Sequence, residues 1–159
     1  MNPTKNDLPE KTRASIIEVL DARLADAVDL QTQTKQAHWN VKGPSFIALH
    51  ELFDKVNEDV EEYVDLLAER IVQLGGYADG GVRSAAKRSK LADYPRVTGG
   101  RENVDALSSA LAVFGKSARA AIEVTDGAGD KDTADLFTEI SRGVDKWLWF
   151  VESHLQGER

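Results

Sequence analysis

The sequence predicts an all-α protein whose core is a bundle of four long helices. Four stretches repeat apolar residues at steps of three and four, the spacing that places side chains on one face of a helix. The pairs Gly43-Pro44 and Gly75-Gly76 mark the ends of the first two stretches. No part of the chain alternates apolar and polar residues as a half-buried strand would. Together these observations favour a helical fold over a sheet.

The first helical stretch runs roughly from Glu10 to Val41. Its apolar stripe consists of Ile17, Leu20, Leu24 and Ala27. Ser15 and Glu18 have the spacing of a capping box, so the helix begins either there or earlier. Gly43-Pro44 then breaks the chain, and Ser45 is expected to cap the next helix.

The second stretch keeps one apolar face in register for about eight turns. That face consists of Phe46, Leu49, Phe53, Val56, Val60, Tyr63, Leu67 and Leu74. The helix is predicted to stop at Gly75-Gly76. A connection of roughly 25 residues, rich in Gly, Ala, Ser and charge, leads to the third helix. Within it, Ser84 to Leu91 are predicted to form a short helix.

The third helix is predicted from about Glu102 to Thr125, and the fourth ends at Gly157. The apolar stripe of the fourth helix consists of Phe137, Ile140, Val144, Trp147, Val151 and Leu155. Short links make the first two helices, and the last two, antiparallel pairs. The one long connection can cross the length of the bundle. This is the topology of a ferritin-like four-helix bundle, with a short helix in the crossover between helices two and three.

The composition suits a single domain over residues 1–159, with 1–9 expected to be a flexible N-terminal tail. The absence of cysteine excludes disulfides, thiolate metal sites and cysteine nucleophiles. No apolar run is long enough to span a membrane and the N-terminus lacks a signal-peptide core, so we expect a cytoplasmic protein. The net charge of −7 argues against a basic nucleic-acid groove on the body of the domain.

The second helix carries the most informative polar residues. Measured from Leu49 around the helix, the apolar residues lie within about 60°. The polar candidates lie at roughly 100°, 140°, 160° and 200°; they are His50, Asp54, Asp65 and Glu69. These side chains share a face that points away from the bundle core. A solvated acidic face is the ordinary interpretation of such carboxylates.

The spacing of these residues favours metal binding instead. His50 and Asp54 are an i,i+4 pair, as are Asp65 and Glu69, so each pair can converge on one ion. The pairs lie roughly 22 Å apart along the axis, too far to form one site in a single chain. A two-fold axis between Asp59 and Val60 would bring the first pair of one chain opposite the second pair of another. The sequence therefore predicts two equivalent sites shared by two copies.

His38 is a further candidate ligand, because it continues the apolar stripe of the first helix five turns after Leu20. Alone, such a residue is more often a hydrogen-bonded histidine. Nitrogen and carboxylate ligands suit iron, manganese or zinc, and iron is favoured because carboxylates tolerate both of its oxidation states. A site within one bundle is disfavoured because the sequence has no Glu-x-x-His motif.

Residues 35–54 (KQAHWNVKGPSFIALHELFD), 65–76 (DLLAERIVQLGG) and 130–152 resemble the Dps family of mini-ferritins, the DNA-binding proteins from starved cells. The resemblance implies a dodecameric hollow shell. It implies a ferroxidase centre between two-fold related subunits, with His38, His50 and Asp54 from one chain and Asp65 and Glu69 from the other. Such proteins oxidise ferrous iron, commonly with hydrogen peroxide, store the ferric product and protect against oxidative damage. Zinc or manganese could substitute for iron.

The resemblance also assigns roles to residues outside this centre. Trp39 matches the tryptophan beside the ferroxidase centre. Its role is either packing at the helix end or electron transfer. Acidic residues that match a three-fold iron-entry pore are Asp130, Asp132 and Asp135. Asp130 or Asp132 could instead cap the fourth helix. His154 matches no known role and is expected at the surface.

DNA binding is the second function that the resemblance suggests, through a mobile N-terminal tail and with it a nucleoid-associated location. The basic residues available are Lys5, Lys11 and Arg13, set against Asp7 and Glu10. This thin positive excess predicts contacts that weaken sharply with salt. A nucleoid-packing shell with little catalysis, and a plain helical assembly, are the alternatives to an iron-oxidising enzyme.

Overall fold

The computed structural model describes residues 1–156 and contains five α-helices. They are α1 (Glu10–Asn40), α2 (Phe46–Gln73), α3 (Val82–Arg88), α4 (Gly100–Gly127) and α5 (Lys131–Glu152), followed by a 3-10 turn at Ser153–Leu155. The described residues form no strand; Lys42 and Gly99 make one isolated bridge. The predicted all-α bundle with a short helix in its crossover is confirmed. The predicted end at Gly157 lies outside the described residues.

Two of the predicted helix starts differ from the structure. α1 begins at Glu10, so Ser15 lies inside the helix, where its hydroxyl donates to Thr12 O over 2.9 Å. The capping-box interpretation of Ser15 was therefore wrong, and the earlier start is the correct alternative. Ser45 does occupy the N-cap position of α2, but its side chain makes no capping hydrogen bond.

The core lies between the four long helices. Its largest fully buried side chains include Phe53 of α2, Phe114 of α4 and Phe137 of α5. α1 packs against α2, α4 and α3, and every residue from Leu24 to Val28 is buried. Because neighbours cover α1 on several sides, a single apolar stripe underestimates what it buries. Ile16, rather than the predicted Ile17, is the fully buried residue of its first turns.

α2 and α5 run antiparallel and approach each other closely at one glycine. A Cβ atom built on Gly143 would lie only 1.9 Å from the hydroxyl oxygen of Tyr63. Tyr63 is 7% exposed, so its ring fills the space that any larger residue at 143 would need. Burial, followed by the charges of Asp59 and Glu62, raises the pKa of its hydroxyl. Glycine at 143 therefore sets how closely these helices pack.

A buried polar network joins the end of α2 to the start of α5. The Arg70 guanidinium donates to both carboxylate oxygens of Asp130 over 2.8 and 3.1 Å and to the Thr133 hydroxyl over 2.9 Å. The Asp130 carboxylate also accepts from Thr133 N over 3.0 Å and so caps α5. Burial raises the pKa of Asp130, but the hydrogen bonds from Thr133 and Arg70 outweigh it and the pKa lies below its ordinary value.

The crossover is held against α1 along its length. α3 covers Val82–Arg88, two residues earlier at its start and three earlier at its end than predicted. After α3, Lys90 N donates to the buried carboxylate of Asp26 over 2.7 Å. Gln33 Nε2 donates to Ala92 O over 3.0 Å. These side chains of α1 supply the hydrogen bonds that the irregular backbone lacks.

The first nine residues form no regular element but contact the body of the chain. Asn2 N donates to Gly75 O over 2.7 Å, and Gly75 has a φ of +89°. Arg13 is buried and donates to Leu8 O over 3.0 Å and to Leu74 O over 2.8 Å. The segment is therefore placed against the end of α2. No helix among the described residues is long and apolar enough to cross a membrane.

Candidate metal centre

The two histidines predicted as ligands lie face to face where α1 ends and α2 begins. The ring centroids of His38 and His50 are 3.7 Å apart and the rings are inclined by 21°. The short link through Gly43, which has a φ of +115°, turns the chain so that these two helix ends meet. The Phe46 ring also lies beside His50, with its centroid 5.1 Å away and its plane inclined by 37°.

Each histidine is held by the backbone of the other. His38 Nδ1 lies 2.8 Å from His50 O, and His50 Nδ1 lies 2.8 Å from His38 O. A carbonyl oxygen only accepts, so each Nδ1 carries the proton and donates. This leaves Nε2 of each ring as the nitrogen that a metal ion would bind. His38 O is also one of the last-turn carbonyls of α1, which have no partner within the helix.

Asp54 completes this first cluster on α2. Its Oδ1 lies 3.9 Å from His38 Nδ1 and accepts a hydrogen bond from Lys35 Nζ on α1. The hydrogen bond from Lys35 outweighs the opposing effect of desolvation and holds the pKa of Asp54 below its ordinary value. The carboxylate is thus kept anionic with a displaceable cation beside it. The name half-site is used below for His38, His50 and Asp54.

Asp65 and Glu69, the other predicted ligands, are exposed on the same helix and lie apart from the half-site. Within residues 1–156, no three His, Cys, Asp or Glu side chains of one chain are arranged to hold a metal ion. The second pair therefore adds no ligand to the half-site of its own chain. Asp65 and Glu69 are called the acidic pair below.

Exposed apolar side chains surround both clusters. Beside the half-site, Trp39 is 68% exposed and Ile47 is 60% exposed. Beside the acidic pair, Val72 is 57% exposed, and Tyr77 and Val82 beyond it are 82% and 71% exposed. Apolar patches of this kind mark surfaces that another protein covers. Because Trp39 is so exposed, its side chain packs little against the rest of its own chain.

Lys35 is the residue beside the half-site to which the sequence assigned no role. It precedes His38 by three residues and so lies on the same face of α1. That spacing is the feature of the sequence that could have indicated a role for Lys35. A single lysine is nevertheless more often solvated, and its partner Asp54 lies 19 residues away.

The acidic turn before α5 divides into two kinds of residue. Asp130 is 3% exposed and caps α5, which confirms the capping interpretation for that residue. Asp132 and Asp135 are exposed on the first turns of α5. A pore role for Asp130, Asp132 and Asp135 stays a prediction, and the Arg70 ion pair leaves Asp130 least available for it.

The predicted DNA contacts need one correction. The guanidinium of Arg13 is engaged with the carbonyls of Leu8 and Leu74, so it does not face solvent where a phosphate could reach it. Lys5 and Lys11 are exposed, and DNA contact by these two residues stays a prediction. His154 lies exposed in the 3-10 turn, as expected.

The fold is that of a ferritin-like protein. In agreement, the ferritin-like domain family matches residues 17–159 of this chain. Within that class the chain belongs to the Dps family. It is 45% identical over 154 residues to the DNA protection during starvation protein of Agrobacterium fabrum, covering 96% of this chain and 95% of the relative.

Solved structures of this family are similar throughout. A tetragonal form of Mycobacterium smegmatis Dps matches with a TM-score of 0.91 and 31% identity, covering 97% of this chain and 94% of that one. The structure of Dps from Microbacterium arborescens in its high iron form matches with a TM-score of 0.87 and 34% identity, covering 96% and 98%. The similarity therefore spans nearly the whole chain.

Proposed function

We propose that this chain oxidises ferrous iron at centres shared by two copies and stores the ferric product inside a hollow shell, a dodecamer. The observation that carries the proposal is the division of the ligands. The half-site presents two Nε2 atoms and one carboxylate, while the acidic pair lies exposed elsewhere on the same helix. Neither cluster is sufficient alone, and a two-fold axis supplies each with the other.

The surroundings of the two clusters support a dyad. Both are flanked by exposed apolar side chains, Trp39 and Ile47 on one side and Val72 on the other. A second copy that covers these residues would exclude water from the ligands as well. Removing water strengthens the attraction between the carboxylates and a cation. The same contact would therefore supply both the interface and the ligand environment.

The chemistry of the ligands suits iron as substrate. Imidazole and carboxylate groups bind ferrous ion, and carboxylates also stabilise the ferric ion that oxidation produces. With hydrogen peroxide as oxidant, two ferrous ions give up one electron each, and peroxide with two protons becomes two water molecules. The Microbacterium arborescens relative was solved in a high iron form, which supports iron as the metal. Zinc or manganese would compete for the same donors.

The acidic face of α2 suits the storage of ferric iron. Exposed carboxylates close to the acidic pair are Glu58, Glu61 and Glu62. If this face lines the interior, its charge would attract ferric ions as they form. Removing ferrous iron and peroxide together would protect the cell from oxidative damage.

Mixed shells test the shared centre directly. Asp54→Ala chains alone and Glu69→Ala chains alone should each oxidise ferrous iron slowly. A random mixture makes half of all dyads mixed, and each mixed dyad has one intact centre, so about a quarter of the centres recover. Recovery of peroxide-driven oxidation, followed as the ferric absorbance, is the expected result.

A matched mixture of Asp54→Ala with His50→Ala chains is the control. Both substitutions lie in the half-site, so every shared centre keeps a defect and no activity should return. Recovery in neither mixture, with assembly intact by light scattering, would mean that one chain supplies the whole centre. Equal recovery in both mixtures would contradict the assignment of ligands to two chains.

DNA protection is a second proposed function, favoured by the name of the Agrobacterium fabrum relative. The exposed Lys5 and Lys11 are the available contacts, while Arg13 is occupied and the chain carries a net charge of −7. A gel-shift titration at low and at moderate salt tests it. A shift at low salt that Lys5→Gln and Lys11→Gln together remove would support the role, and no shift at either salt would exclude it.

A further inference from the structure

Two exposed apolar side chains lie at opposite ends of the outer face of α2. Ile47 in the first turn is 60% exposed, and Val72 in the last turn is 57% exposed. Along the helix they are roughly 37 Å apart, so they cannot contact each other within one chain. Each therefore lacks an apolar partner on the part of α2 where the other lies.

A cavity opens beside Val72, between the last turns of α2 and the segment that follows it. Its volume is about 390 Å³, and its lining residues are Ala68, Glu69, Val72, Gln73 and Ala78. Three of these five residues are apolar, and one of the others is Glu69 of the acidic pair. An apolar side chain that entered this cavity would thus lie directly beside a predicted iron ligand.

The register of the shared centre indicates which side chain comes to this cavity. The two-fold axis proposed above places His50 of one copy opposite Glu69 of the other. Ile47 precedes His50 by three residues, and Val72 follows Glu69 by three. In antiparallel helices, the register that aligns the first two residues also aligns the second two. Ile47 of one copy therefore faces Val72 of the other, at the cavity.

The middle of the same face cannot hold the two helices in this register. Glu58 follows Asp54 by four residues and Glu61 precedes Asp65 by four, so Glu58 of one copy faces Glu61 of the other. Both carboxylates are exposed in the single chain, and like charges brought together across an interface repel each other. Without iron, the attraction between the two helices must come from other residues of the face.

We propose that Ile47 of each copy enters the cavity beside Val72 of a second copy, and that this contact sets the register of the two α2 helices. The proposal rests on the shared centre proposed above and names a positioning residue for it. A slide of one turn would place Val72 opposite Glu51, which would lose apolar burial and set a carboxylate against the cavity. The same slide would separate His50 from Glu69.

Disulfide trapping tests the register, because the chain contains no cysteine of its own. Iron-free Ile47→Cys/Val72→Cys protein is assembled and then oxidised with diamide. Most chains should run as covalent dimers on a non-reducing gel, since a disulfide forms only where the two Cβ atoms lie about 4 Å apart. Glu51→Cys/Val72→Cys, one turn out of register, is the matched control and should stay monomeric. No dimers from the first variant, or equal yields from both, would overturn the proposal.

Charge substitutions at the same two positions give a second measurement that forms no bond. Ile47→Lys/Val72→Lys brings like charges together at each contact, whereas Ile47→Lys/Val72→Glu brings opposite charges together. In iron-free protein, sedimentation velocity over a dilution series should show the second variant associating about tenfold more tightly. Both positions are exposed, so the helix content should stay that of the parent. Equal association of the two variants would contradict the predicted contact.

The outcomes of these experiments can be separated from those of the mixed-shell experiment because neither uses iron. Recovery of oxidation in mixed shells without disulfide trapping would overturn the register contact and leave the shared centre in place. Trapping without recovery in mixed shells would support the contact between copies and overturn the assignment of the iron ligands.

Discussion

Two of the ion pairs that connect α2 to its neighbours differ in burial and in the number of partners. Lys35–Asp54 joins α1 to α2 at the half-site, where the side chains are 35% and 40% exposed. Arg70–Asp130 joins α2 to α5 about four turns further along, where they are 10% and 2% exposed. Both use a carboxylate and a cation, yet only the second is closed to solvent.

The difference indicates which carboxylate can change partners. Thr133 and Arg70 saturate the oxygens of Asp130, so any exchange of partner would break a buried network. Asp54 has one flexible lysine and a histidine at 3.9 Å. A metal ion can replace that lysine at little cost, because exposed ion pairs contribute at most about 1 kcal/mol. The Arg70–Asp130 pair is therefore structural, and the Lys35–Asp54 pair leaves its carboxylate available.

The largest effect is expected from Arg70→Met. It leaves the Asp130 carboxylate buried without its cation, which should lower the free energy of unfolding by about 3–5 kcal/mol. Thermal or urea unfolding measures this. Arg142→Met, at an exposed arginine of α5, is the control and should change stability by less than about 0.5 kcal/mol. A small loss in Arg70→Met would mean that the network is not structural.

The next effect is on iron oxidation. His50→Ala removes a ligand of the half-site and should slow peroxide-driven ferrous oxidation about 100-fold or more, at the upper end of losses from supporting residues. Stopped-flow absorbance of the ferric product measures this rate. The neighbouring exposed residue gives the control Glu51→Ala, which should keep the parent rate. Parent-like kinetics in His50→Ala, with assembly intact, would exclude the half-site.

Acid stability should reflect Asp130. Its pKa is lowered in the folded chain, so its contribution is present above the unfolded pKa and is lost as the pH falls through the folded one. In that acidic range the parent should lose up to about 1.4 kcal/mol of stability per pH unit through this group. Unfolding free energies of Asp130→Asn and the parent should therefore converge as the pH falls. A constant difference down to strongly acidic pH would contradict this.

The smallest effect is expected from Lys35→Met. Stability should change by less than about 1 kcal/mol, because the pair is partly exposed. Cobalt or zinc should bind the shared centre roughly threefold more tightly, since no ammonium competes for Asp54. Lys131→Met removes an exposed lysine from the pair with Asp126 and should leave metal affinity unchanged. Weaker metal binding in Lys35→Met would show that the lysine orients Asp54 rather than competing for it.

The sequence predicted most of the bundle because its helices are long and their apolar stripes are regular. Helix boundaries were less predictable, since Ser15 has the spacing of a cap but lies within a helix that continues back to Glu10. The positions of His50, Asp54, Asp65 and Glu69 on an outer face followed from helical geometry alone.

Residues that act through distant partners were not predictable from local patterns. Arg70 is buried because Asp130, 60 residues away, neutralises it. Nothing near Arg70 in the sequence indicates that partner. The mutual hydrogen bonds of His38 and His50 likewise depend on how two helix ends meet, which spacing along either helix does not specify.

Gly143 and Tyr63 have a consequence for how sequences of this fold can diverge. The tyrosine hydroxyl occupies the place of a Cβ at position 143, so a larger residue at 143 requires a smaller one at 63. Gly143→Ala alone would force the ring out of a buried site, whereas a smaller side chain at 63 would first have to make room. In related chains, a residue larger than glycine at 143 should therefore occur together with a side chain smaller than tyrosine at 63. The two positions would then covary because α2 and α5 pack against each other there.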